Sequence, residues 1–142
     1  MIPSPAGALP FVVIKSVGYV AFAAYLNQEY GRLDFPSAEA ARPLPNPVVV
    51  GAIRTVIGLV GGVVYGLTLM AMATNLPAIG VFLALAPLRA CEWALVIWLL
   101  YDRRLSHRDV LAKRSLQGMA VSYLLDMPAF GIWMLLPGVP MC

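Results

Sequence analysis

The sequence predicts an all-α membrane protein: a four-transmembrane-helix bundle with both termini extracytoplasmic and loops 1 and 3 cytoplasmic. Composition is the first reason. Apolar residues make up 61% of the 142 and charged residues only 12%, against about 45–50% and about 25% in an ordinary soluble domain. Patterning is the second. The apolar residues fall in four long blocks, each near the ~20 residues a helix needs to cross a bilayer. The third is charge placement, because the basic residues crowd into two of the segments between blocks. The blocks consume nearly all of 1–142, so a single integral membrane domain is expected, with no room for a separate soluble one.

Each element has a local reason. Helix 1 is expected over about 9–29. The start, Met1-Ile-Pro-Ser-Pro, lacks a basic n-region and Lys15 interrupts the apolar run, so a retained helix is expected rather than a cleaved signal peptide. Helix 2 is expected over about 47–74, opening on Pro47, which suits a first helical turn. Asn75 and Pro77 mark a tight hairpin into helix 3, over about 76–101. Helix 4 is expected over about 117–136, stopped by Pro137-Gly138-Val139-Pro140. The segments 31–46 and 102–116 are left as loops, the first proline-rich and the second basic.

Orientation follows from the cations. Arg32 and Arg42 lie in loop 1, and Arg103, Arg104, Arg108, Lys113 and Arg114 in loop 3. With four spans these loops share one side, which the positive-inside rule makes cytoplasmic. The expected location is a bacterial-type inner (plasma) membrane. Loop 3 interleaves its cations with Leu105, Val110 and Leu111, a pattern suited to an anionic lipid surface. Anionic membrane lipids are therefore expected partners. Nucleic acid is not, because no folded basic domain presents a reading element.

Charges inside the apolar blocks mark the place to look for function. One such residue at mid-membrane costs about 2.5–3.5 kcal/mol on insertion scales, so it persists where it is paired or used. Arg54 lies roughly 10 Å along its helix from the cytoplasmic end, Glu92 and Asp126 roughly 14 Å, and Arg89 roughly 18 Å. Four charges on three helices thus share one slab, and a buried cluster of Arg54, Arg89, Glu92 and Asp126 is expected. Ser122 and Tyr123 precede Asp126 by one turn and share its face. Trp93, one turn past Arg89, is within cation–π reach of it. Pro87 and Pro128 are expected to kink helices 3 and 4 beside these charges. Lys15 sits nearer the outer end of helix 1, where its stem allows it to snorkel. Gly58, Gly62 and Gly66 form two overlapping GxxxG steps that invite close helix packing, internal or between subunits.

The chemistry is open. Glu92 and Asp126 are the candidate catalytic pair, yet neighbouring arginines favour their ionised forms and an anionic partner. His107 is the only histidine, and no phosphate loop, dinucleotide fingerprint or zinc motif is present. No metal and no cofactor is expected. The leading expectation is a small subunit of a larger membrane complex, packing through the glycine stripe and the charge cluster with other membrane subunits or with itself. The alternatives are a lipid- or amphiphile-handling enzyme and a small-solute or proton-coupled transporter, each using Arg54, Arg89, Glu92 and Asp126.

Overall fold

The computed structural model describes residues 5–35, 43–71 and 78–135. It is all-helical over them: α1 (Pro5–Tyr30), α2 (Pro47–Ala71), α3 (Ala78–Ala84), α4 (Ala86–Leu100) and α5 (Arg108–Leu135). Helices α3 and α4 succeed one another with only Leu85 between them, so four rods are built from five helices. Neighbouring rods pack as a closed ring: α1 on α2, α2 on α4, α4 on α5, and α5 back on α1.

Three expected boundaries are corrected. Helix 1 begins at Pro5 rather than Leu9. The third rod is broken rather than continuous from 76 to 101, because Pro87 has no N–H for the carbonyl one turn earlier. Leu85 keeps a right-handed helical backbone (φ −70°, ψ −17°), and Arg89 N donates to Leu85 O at 2.9 Å, so helix resumes at once. The fourth rod starts at Arg108, not Gln117, so much of the expected loop 3 is helix. No corresponding break occurs at Pro128, and α5 runs through it uninterrupted. The expected hairpin at Asn75–Pro77, the end of helix 2 beyond Ala71 and the stop after Leu136 lie outside the described residues.

The α4–α5 turn explains the early start of α5. Asp102 is buried, and its two carboxylate oxygens accept from Ser106 N (3.0 Å) and His107 N (2.8 Å). It satisfies amides just ahead of the helix, much as an N-cap does. Leu105 takes a left-handed backbone in this turn (φ 54°).

An apolar core fills the end of the ring near this turn. α1 supplies Tyr19, Phe22, Ala23, Leu26 and Tyr30, spaced in threes and fours along one stripe. Val50 comes from α2, and Trp93, Val96, Ile97 and Tyr101 from the α4 rod. Tyr101 Oη donates to Asn27 Oδ1 at 2.8 Å, and Asn27 Nδ2 donates to Pro45 O at 2.8 Å, tying the approach to α2 onto α1. Arg114 on α5 reaches Tyr25 and Glu29 of α1 and bonds Gln117 Oε1 at 2.6 Å.

Helix α2 is turned inside out relative to a water-soluble helix. Apart from Val50 and Ile57, which pack on the core, its inward positions include small or charged residues: Gly51, Arg54, Gly58 and Gly61. Its outward positions are large and apolar: Val48, Val49, Val56, Leu59, Val60, Val63, Val64 and Leu67 are all exposed. The stretch Pro47–Thr68 is long and apolar enough to cross a membrane, the one such helix among the described residues.

Candidate functional site

Above the apolar core the ring holds charge. Arg54 on α2 is fully buried, and its Nη2 donates to Glu92 Oε2 on α4 at 2.7 Å. Arg89, one turn before Glu92, approaches the same oxygen with Nη1 at 3.6 Å. Its Nη2 donates to Asp126 Oδ2 on α5 at 3.3 Å. The other Asp126 oxygen is paired with Lys15 of α1. The result is a chain of alternating sign, Arg54–Glu92–Arg89–Asp126–Lys15, that touches every rod of the ring.

Lys15 was expected as a possible interfacial anchor and is instead the fifth member. The reason is geometric: α1 packs on both α2 and α5, which brings the inner side of its mid-section against Asp126. Arg54 does not snorkel, because the rings of Tyr19 and Trp93 flank it. Its guanidinium carbon lies 5.0 Å from the Tyr19 ring centre and 5.1 Å from that of Trp93. Trp93 was expected over Arg89 on its own helix, but it faces Arg54 across the bundle. Tertiary packing outweighs the weak same-helix pairing, worth only about 0.5–1 kcal/mol where exposed.

Ser122 is the hydroxyl at the centre. It is fully buried, accepts from Trp93 Nε1 at 2.9 Å, and donates to Gly118 O at 3.0 Å. Its distance to Arg54 Nη2 is 3.5 Å, a marginal contact. Gly118 is itself required: a Cβ there would stand 2.5 Å from the Trp93 indole, so the ring lies directly on the α5 backbone. Tyr123 lies half-buried beside the chain of charges, within electrostatic reach of Arg89, Asp126 and Tyr65.

The glycines divide in two. Gly58 faces the cluster, and a Cβ there would lie 2.8 Å from Arg54 Nη1 and 3.4 Å from Arg89 Nη1. Gly61, which the GxxxG pattern does not include, makes room for Glu92, since a Cβ there would overlap Oε1. Gly62 and Gly66, by contrast, would meet nothing within 4 Å among the described residues. Among the described residues, close packing within the chain therefore falls at Gly58 and Gly61, and Gly62 is exposed. One turn further, Tyr65 Oη donates to Val81 O at 2.8 Å and fastens α2 to α3.

No protein-family model matches the chain, and neither a curated protein nor a solved structure is similar to it. The site must speak through its own chemistry. Each carboxylate pairs with two cations, Glu92 with Arg54 and Arg89 and Asp126 with Arg89 and Lys15. Among the described residues no group of three or more His, Cys, Asp or Glu could hold a metal ion. What the arrangement does best is bind rods together and present guanidinium nitrogens to an acceptor.

Proposed function

We propose that the chain is a four-span integral membrane protein that serves as a non-catalytic subunit of a larger membrane assembly. The observation that carries this reading is the inverted polarity of α2, with apolar side chains outside and charge inside. Exposed apolar patches of this kind mark a lipid or protein interface. The other rods are less apolar because they carry the partners of Arg54, and pairing inside the ring removes the cost of taking those charges into lipid. The cations flanking the rods set orientation: the turn at Asp102–His107 and the start of α2 lie in the cytoplasm, and both termini outside.

The subunit reading rests on where the polar atoms go. The ion pairs close within one chain, so the cluster acts as an internal clamp. The surface left for neighbours is the outer part of α2, where Gly62 is exposed among Leu59, Val63 and Leu67. Small residues among branched ones let a second helix approach closely. The partners would be other membrane subunits, with anionic lipid around Arg103, Arg104, Arg108 and Lys113.

Native mass spectrometry of the protein extracted gently from its own membrane tests this. Other proteins in fixed ratio are the expected result, and Gly62→Leu should release them while leaving the ring folded. A chain that extracts alone, with or without the substitution, overturns the subunit reading.

A further inference from the structure

The buried chain of charges begins and ends on a cation. It holds Lys15, Arg54 and Arg89 against Glu92 and Asp126, an excess of one positive charge among side chains that are at most about a tenth exposed. An uncompensated charge in an apolar interior costs several kcal/mol even after relaxation. The excess is not spread evenly. Arg54 is fully buried and uses Nη2 on Glu92, while no side chain or carbonyl among the described residues accepts from its Nε or Nη1. Buried donors are rarely left so, because each unmade bond costs about 1–3 kcal/mol.

The direction of those donors is informative. Arg54 Nη1 and Arg89 Nη1 converge on the space beside the Gly58 backbone, where a Cβ would stand 2.8 Å from one and 3.4 Å from the other. Two guanidinium nitrogens converging on one point suit an oxyanion, whose oxygens match the planar fork. One turn further along α2, Gly62 is exposed and meets nothing within 4 Å among the described residues. Glu92 is the one acid beside the space at Gly58, and its Oε1 is turned toward Gly61, one turn further along α2. An excess of positive charge also argues against a cation pathway through the ring.

We propose that an oxyanion, a phosphate or carboxylate group, binds between α2 and α4 beside Gly58, held by Arg54 and Arg89. Delivered on a lipid or free, it would enter past Gly62, because the apolar core fills the end of the ring near the α4–α5 turn. The inference rests on the membrane placement proposed above and is independent of the subunit reading.

The test uses the full chain in an uncharged detergent. Thermal unfolding is followed against two probes, inorganic phosphate and mixed micelles containing phosphatidylglycerol, with phosphatidylcholine micelles as reference. One probe is expected to raise the Tm of the wild type, and Gly58→Ala to weaken its binding by roughly tenfold to a hundredfold, the loss of one or two charge-assisted hydrogen bonds. Gly62→Ala, with open space around it, should change nothing. A response to phosphate identifies a soluble oxyanion, and a response to phosphatidylglycerol alone a lipid headgroup. If neither probe acts and native mass spectrometry shows a bare chain, the proposal is overturned. If Gly58→Ala responds like the wild type, it is overturned too, and the basic surface before and within α5 takes the lipid. Should Gly58→Ala not fold, the mass of the gently extracted wild type decides: one phosphate- or carboxylate-bearing molecule per chain supports the site, and none removes it. A chain that stays dispersed without detergent would refute the membrane placement instead, an outcome the probes do not mimic.

Discussion

Glu92 shows how much rests on single side chains in this ring. It is the acid shared by Arg54 and Arg89, at 2.7 and 3.6 Å. Removing one partner of a buried ion pair strands the other, at about 3–5 kcal/mol. Glu92→Gln should therefore lower stability by about that much, read as a fall in Tm in detergent, and Arg54→Met made together with it should recover most of the loss. A double variant as unstable as the single one would show that the pair does not clamp the ring. Gly61→Ala is expected to behave like a weaker Glu92 variant, because its Cβ displaces Oε1, whereas Gly62→Ala should leave Tm unchanged. The four charges Arg54, Arg89, Glu92 and Asp126 can be picked out of the sequence, since each interrupts an apolar run. Lys15 cannot be assigned the same way: near a helix end, a flexible cation can also reach the headgroups. Gly61 is legible as part of the small surface of helix 2, but its particular role is not. The GxxxG spacing selects 58, 62 and 66, and only the depth of Glu92 on the facing helix makes 61 the position that must be small.

At the scale of elements, sequence patterning is most informative where a block is purely apolar and least where polarity changes along a helix. α2 is legible because nothing charged but Arg54 lies within it. The start of α5 is not, because Arg108–Leu116 is as charged as a loop, and its helicity depends on Asp102 outside the helix accepting two amides. Asp102→Ala should cost about 0.5–2 kcal/mol, the range for losing a helix cap. Hydrogen exchange would locate the loss: faster exchange at Ser106, His107 and the first turn of α5 is expected, with α2 protected as before. Uniformly faster exchange would mean that the turn stabilises the whole ring rather than one helix end. The face that α1 buries is likewise unreadable from sequence. Its outward side chains Val13, Ile14 and Val17 are as apolar as its core stripe, so apolarity alone does not say which side turns inward. In water the outer face would be polar; in lipid that signal is lost.

For the whole molecule, parity and charge make one joint statement. Rods that alternate in direction put Tyr30, Pro47, Tyr101 and Arg108 at the same end of the ring, next to Arg32, Arg103 and Arg104. The ion chain can form only if the rods keep this alternation relative to one another, since Lys15, Arg54, Arg89 and Asp126 each come from a different one. A cysteine placed by Ser106→Cys, in a chain with Cys91 and Cys142 replaced by alanine, should react with a membrane-impermeant thiol reagent only from the cytoplasmic side. Replacing Arg103, Arg104, Arg108 and Lys113 together by alanine removes about 1 kcal/mol of surface attraction for each cation and should produce a population labelled from the outside. Arg114 is left in place there because it holds Glu29 and Tyr25 rather than lipid. An inverted chain still has its five buried charges, so the ring should fold in either orientation and keep the Tm of the wild type. Labelling from outside in the unmodified loop would reverse the topology, and inverted chains that are degraded rather than folded would show that the ion chain requires cytoplasmic anchoring to assemble.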